Sequence, residues 1–142
     1  MNEKTENMEN PDVRWKQRFS NFSKSLNYLE QALKIKSPDI VQKAGIIQFF
    51  EMSFELSWKV LKDYLEEQGF EDVKSPRAAI KQAFEIGIIE NGHGWLELLQ
   101  DRNLTAHTYD EEKANEMEQL IQNNYFPLLK KLHLYFETKI NG

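Results

Sequence analysis

Trp15, Phe19, Phe22, Leu26, Leu29 and Leu33 recur at spacings of 4, 3, 4, 3 and 4 residues. Residues so spaced share one face of an α-helix, so this segment reads as a helix of about six turns with a single apolar stripe. Such a stripe must be covered by other elements of the chain. Ser37-Pro38 reads as a stop and a restart, with Ser37 as N-cap and Pro38 at the first helical position. A second helix then runs from about Asp39 to Gln68. Ile40, Ala44, Ile47, Phe50, Phe54, Trp58, Leu61 and Leu65 form its main stripe, and Ile46, Phe49, Leu56, Val60 and Tyr64 widen it. A helix apolar around much of its girth is a central one, packed on more than one neighbour. Gly69 closes it.

Ser75-Pro76 repeats the cap-plus-proline signal and opens a short helix from Arg77 to about Glu85. Gly87 and then Asn91-Gly92-His93-Gly94 break the chain. A fourth helix is expected from Trp95 to about Thr105. A fifth is expected from about Asp110 to Lys139, with Ala114, Met117, Ile121, Tyr125, Leu128, Leu132 and Tyr135 on its stripe. Pro127 inside it predicts a kink or a break. No alternating strand pattern of useful length occurs. The expected fold is all-α, an up-and-down helical bundle of four to five helices. Residues 1–12 read as a disordered polar tail and 13–142 as one helical-bundle domain.

Several function classes drop out on composition. Among 142 residues there is no Cys, which excludes a disulfide scaffold, a thiolate metal site and a cysteine nucleophile. The formal net charge of −5 argues against a general duplex-DNA binder. No run of about 18 apolar residues spans a membrane, and the polar start is not a secretory signal, so a cytoplasmic protein is expected. The charge is uneven, however. Residues 14–43 hold seven bases (Arg14, Lys16, Arg18, Lys24, Lys34, Lys36, Lys43) against two acids (Glu30, Asp39). A solvated helix face accounts for this, with a polyanion-facing patch as the alternative.

His93, His107 and His133 show no metal-ligand spacing, and no Gly-rich phosphate loop is present. Neither a metal nor a cofactor is expected. One segment does concentrate reactive side chains: Asp101-Arg102-Asn103-Leu104-Thr105-Ala106-His107-Thr108-Tyr109-Asp110. It lies between the fourth and fifth helices, where sites tend to be displayed. On a continuous helix Arg102 and His107 lie about 140° apart and about 7.5 Å along the axis. They converge best if the helix loosens before His107, or if a second subunit completes the site.

The set suits phosphodiester chemistry without a metal. A histidine titrating near about 6.5 can accept a proton at neutral pH and return it. An arginine can hold a phosphate through two hydrogen bonds and stabilise a five-coordinate transition state. With the ribose 2′-hydroxyl of RNA as nucleophile, no protein nucleophile is required. The structural alternative is that Thr108-Tyr109-Asp110-Glu111 forms a capping box, that Arg102 pairs with a carboxylate, and that Tyr109 packs on the corner.

Arg102-x4-His107-x-Tyr109 resembles the Arg-x4-His-x-Tyr motif of HepT-like toxins in the HEPN superfamily. The longer string from Arg102 to Asp110 resembles the signature of a subgroup named nucleotidyltransferase substrate-binding proteins. Phe54-Glu55-Leu56-Ser57-Trp58-Lys59-Val60-Leu61-Lys62-Asp63-Tyr64-Leu65 is similar to that subgroup's second helix. Ser75-Pro76-Arg77, Ala83-Phe84 and Gly87-Ile88-Ile89 follow the same pattern. The resemblance covers about Val13 to Glu137. It implies a HEPN-like bundle that forms a homodimer, and a small nucleotidyltransferase as partner and antitoxin. It implies Arg102 and His107 as ribonuclease residues in a cleft at the dimer interface, with Asn103 shaping that cleft for RNA. Tyr109 would be the hydroxyl that the partner modifies with AMP, silencing a toxin. AMP adds negative charge and bulk beside His107, which repels an RNA phosphate and fills the cleft.

Three readings share the bundle. In the first the chain is a metal-independent endoribonuclease toxin of a toxin-antitoxin pair. In the second it is a non-catalytic subunit presenting a substrate to the nucleotidyltransferase. In the third the motif merely caps a helix in a structural dimer.

Overall fold

The computed structural model describes residues 11–104 and 110–141. The elements in order are α1 (Pro11–Leu33), α2 (Ile40–Glu67), α3 (Pro76–Glu85), α4 (Gly92–Leu104) and α5 (Glu111–Leu120). A π-helical turn (Ile121–Tyr125) then runs directly into α6 (Phe126–Asn141). No strand occurs among the described residues, and the fold is the expected all-α bundle.

The pairing of α1 with α2 is the most extensive in the molecule, because the stripe read from the sequence meets the broad apolar face of α2. Trp15, Phe19, Phe22, Leu26 and Leu29 are buried against Ile46, Ile47, Phe50, Phe54, Leu61 and Leu65. At one end Trp15 meets Tyr64 edge-on (5.3 Å between centroids) and tilts onto Phe136 of α6 at 5.6 Å. Ile40 and Ala44, assigned to the α2 stripe, are exposed, since α2's first turn does not face this core.

The basic segment is not simply a solvated face. Arg18 Nε lies 2.6 Å from Asp63 Oδ2, and Arg14 lies 3.8 Å from Glu66. Asp63 is 1% exposed. Burial raises its carboxyl above the ordinary 3.8, more than the neighbouring Arg18, Arg14 and Lys62 lower it.

Helix ends depart from expectation in two places. Ser37 does not cap α2: it adopts a left-handed φ of 50°, and Asp39 caps instead. The Asp39 carboxylate accepts from the Gln42 N–H at 2.8 Å, and the Gln42 side chain accepts from the Asp39 N–H at 3.0 Å. The Asn91-Gly92-His93-Gly94 stretch is a helix start rather than a break. Asn91 Oδ1 accepts from the Gly94 N–H at 2.9 Å, so α4 begins three residues before Trp95. Other ends follow the reading. Ser75 caps α3 with Pro76 in the first turn. Gly69 and Gly87, at φ 97° and 84°, close α2 and α3. In each case the glycine N–H bonds three residues back and the next N–H bonds five back (Phe70 to Leu65, Ile88 to Ala83).

Proline explains the break in the last helix, and the break changes which residues face inward. Pro127 has no N–H, and its ring crowds the carbonyl four residues earlier. The wide π turn just before it accommodates this, with the Phe126 N–H bonded to the Ile121 carbonyl five residues back. Ala114, Met117, Ile121 and Tyr125 are buried as read. Beyond the turn the buried face is Leu129, Leu132 and Phe136, in place of Leu128, Leu132 and Tyr135. Past the wide turn two of the three inward positions move on by one residue, while Leu132 keeps its place.

Candidate functional site

Arg102 occupies the last turn of α4, where a cation meets the negative end of the helix dipole. That turn is held from below. Asp101, its neighbour, accepts a hydrogen bond from the phenolic O–H of Tyr125. Tyr125 is buried and stacks on Phe50 of α2 at 5.7 Å. Burial, then the Asp101 bond, pushes its phenol well above the ordinary value of 10, so it stays a donor. The π turn that carries Tyr125 therefore ties α4 to α2 through one aromatic side chain.

The Arg102 guanidinium sits half-exposed against α2. Nη2 forms an ion pair with Glu55 Oε1, and Nη1 donates to Asn103 Oδ1 at 3.1 Å. Its Cζ lies 5.8 Å from the centre of the Phe54 ring. Glu55 is itself fixed, because its second oxygen accepts from Trp58 Nε1 at 3.1 Å. The Glu55 carboxylate is thus directed at Arg102. Beside the pair opens a shallow groove of about 390 Å³ lined by Glu51, Met52, Glu55, Leu56 and Arg102.

Of the four residues singled out from sequence, Arg102 lines this groove and Asn103 is hydrogen-bonded to it. His107 and Tyr109 lie outside the described residues, as does Thr108. The cap of α5 is Asp110, whose Oδ1 accepts from the Glu112 N–H at 2.8 Å; the Thr108 box considered above falls on residues outside those described. Sequence reasoning missed Glu55, although the Glu55-x2-Trp58 spacing places a carboxylate and an indole N–H on one face. It also missed the Asp101–Tyr125 bond.

The other two histidines lie apart from Arg102. His93 pairs with Glu97 one turn on, at 2.6 Å. His133 is half-buried. It stacks on Phe19 at 4.7 Å and shares a 2.7 Å hydrogen bond between Nε2 and Ser23 Oγ. Among the described residues no three His, Asp or Glu side chains converge as metal ligands, and no helix is long and apolar enough to cross a membrane.

Residues 17–137 match the family model described as "Nucleotidyltransferase substrate binding protein like". A Haemophilus influenzae protein described as "Probable ribonuclease HepT" is 37% identical over 90 residues, covering 54% of this chain. The match spans 58% of that relative's own length. A crystal structure from Thermus thermophilus superposes with a TM-score of 0.71 at 33% identity, covering 78% of this chain and 94% of that one. A second structure, from Haemophilus influenzae, is described as revealing the fold of a substrate binding domain of a nucleotidyltransferase. It superposes with a TM-score of 0.62 at 27% identity, covering 87% of this chain and 96% of that one.

Proposed function

The chain belongs to the nucleotidyltransferase substrate binding protein-like family, and from that premise we propose that it is a HEPN-type partner of a small nucleotidyltransferase and a metal-independent endoribonuclease toxin. The observation that carries this reading is the presentation of Arg102. Its guanidinium stands at the rim of an open groove, braced by the Phe54 ring, Asn103 and a fixed carboxylate. A guanidinium so held is pre-organised to receive a phosphate. His107, five residues on, takes the proton of the ribose 2′-hydroxyl as that oxygen attacks the adjacent phosphorus. It then returns a proton to the departing 5′-oxygen. Arg102 stabilises the extra negative charge on the phosphorane. The protein acts as a cytoplasmic homodimer, and its second copy completes the cleft.

Silencing follows from charge. AMP joined to the Tyr109 hydroxyl sets a phosphodiester anion beside the same cleft and excludes RNA by repulsion and bulk. Intact mass of the chain co-expressed with its nucleotidyltransferase is expected to show added AMP mapping to Tyr109. An unmodified Tyr109 under those conditions contradicts this arm.

The ion pair between Arg102 and Glu55 favours a second reading, in which the guanidinium serves packing and the chain binds a substrate for the transferase without cutting RNA. The two separate on one assay. A single-stranded RNA and the DNA of the same sequence are each incubated with unmodified protein in EDTA. The ribonuclease reading predicts that only the RNA is cut, because the attacking hydroxyl is its own. Protein that binds the transferase yet leaves varied RNAs intact selects the second reading.

A further inference from the structure

In the chemistry described so far Glu55 figures only as a brace for Arg102, yet both of its oxygens are engaged at the groove. One of its oxygens meets Arg102 and the other accepts the Trp58 indole N–H at 3.1 Å, so both ends of the carboxylate are held. An exposed ion pair alone contributes little. Here the carboxylate is anchored by a third residue on its own helix, while Arg102 is flanked by the Phe54 ring one position away from Glu55. Successive α2 residues, Phe54 and Glu55, thus both meet the guanidinium. Glu51 lines the same groove one turn earlier and keeps its wall acidic.

From this geometry we infer that Glu55 is the positioning residue for Arg102, still paired with it when a phosphate is bound, and also a negative charge that opposes the phosphate's arrival. This rests on the ribonuclease reading for its kinetic arm only. A carboxylate that orients the guanidinium lowers the entropy lost on reaching the transition state. The same negative charge, beside the phosphate's landing point, weakens ground-state binding of RNA. The two effects act in opposite directions on affinity and on turnover, which a merely structural ion pair does not do.

The experiment compares wild type, Glu55→Gln, Arg102→Ala and the double variant. It measures binding of a short single-stranded oligoribonucleotide and its cleavage at saturation, in EDTA at low salt. Glu55→Gln retains an oxygen for the Trp58 N–H, so the fold is kept, while the charge is lost. It is expected to bind RNA about fivefold more tightly, a gain that shrinks with added salt. Its saturating cleavage rate is expected to fall about tenfold, because a neutral amide holds the guanidinium less firmly. In the double variant the gain in affinity disappears, since it acts through Arg102. Trp58→Phe, which removes the anchoring N–H together with part of the ring, is expected to lower the cleavage rate without tightening binding, at a melting temperature that shows the fold is kept. The inference is overturned if Glu55→Gln leaves both quantities unchanged, if the tighter binding survives without Arg102, or if none of the variants binds RNA. Wild-type protein that binds but never cuts, with the Arg102-dependent gain intact, removes the ribonuclease reading and leaves this assignment. Normal cutting with no effect at Glu55 does the reverse.

Discussion

Arg102 was legible as a candidate from its motif, but its immediate surroundings were not. Glu55, Phe54 and Trp58 come from α2, and nothing in the spacing around Arg102 points to them. The bland alternative for Arg102, a carboxylate partner, is realised, and it coexists with a guanidinium displayed at a groove. His133 too has surroundings that its sequence neighbours do not announce. Its flanking Lys130 and Lys131 suggest a surface, whereas the rotated stripe of α6 turns the imidazole toward Phe19, Phe22 and Ser23. Burial lowers its affinity for a proton below that of an ordinary histidine at 6.5, outweighing the attraction of Glu137, and Lys130 lowers it further. Asn27 and Glu30 of α1 line the same small cavity. The unfolded chain therefore binds this proton more readily than the folded one. Stability from His133 is full above 6.5 and is lost as pH falls through that value toward the lowered folded value. Asp63 works with the opposite sign: its raised folded value makes acidification toward 3.8 favour the fold. Thermal melting is expected to show a smaller drop between about pH 7 and pH 5.5 in His133→Gln than in wild type. Equal drops contradict the assignment.

At the scale of elements, α1, α2, α4 and the α5–α6 pair were readable from apolar spacing and α3 from its Ser75-Pro76 cap, while ends and register were less so. Caps were read correctly where serine precedes proline inside a regular turn, as at Ser75-Pro76. The same pair at Ser37-Pro38 misleads, because Ser37 takes a left-handed conformation and the Asp39–Gln42 box starts the helix. Asp39→Ala is expected to cost about 1 kcal/mol in denaturant-induced unfolding. Ser37→Gly is expected to cost nothing or to stabilise, since glycine adopts positive φ without strain. The reverse order would restore Ser37 as the cap. The π turn escaped detection because only Pro127 announces it, and a proline does not say how the preceding turn will widen. Its consequences reach the site: it sets the inward face of α6 and delivers Tyr125 to Asp101, one residue from the candidate arginine.

For the whole molecule, the net charge of −5 bears on how RNA would be engaged. A general polyanion binder draws its affinity from many cations. Here Arg14 and Arg18 are tied to Glu66 and Asp63, and the groove beside Arg102 is partly acidic. Recognition of one phosphate at one pre-organised guanidinium suits such a surface better than broad electrostatic capture. In the proposed silencing, a single added AMP would then suffice as a block. The most direct test of the ribonuclease assignment is cleavage of single-stranded RNA in EDTA by unmodified wild type, Arg102→Ala and His107→Ala, with melting curves taken on the same samples. Wild type is expected to cut, and each variant to lose about 100-fold or more in rate at unchanged melting temperature. Folded, unmodified wild type that cuts no RNA, or either variant cutting as fast as wild type, would contradict the assignment.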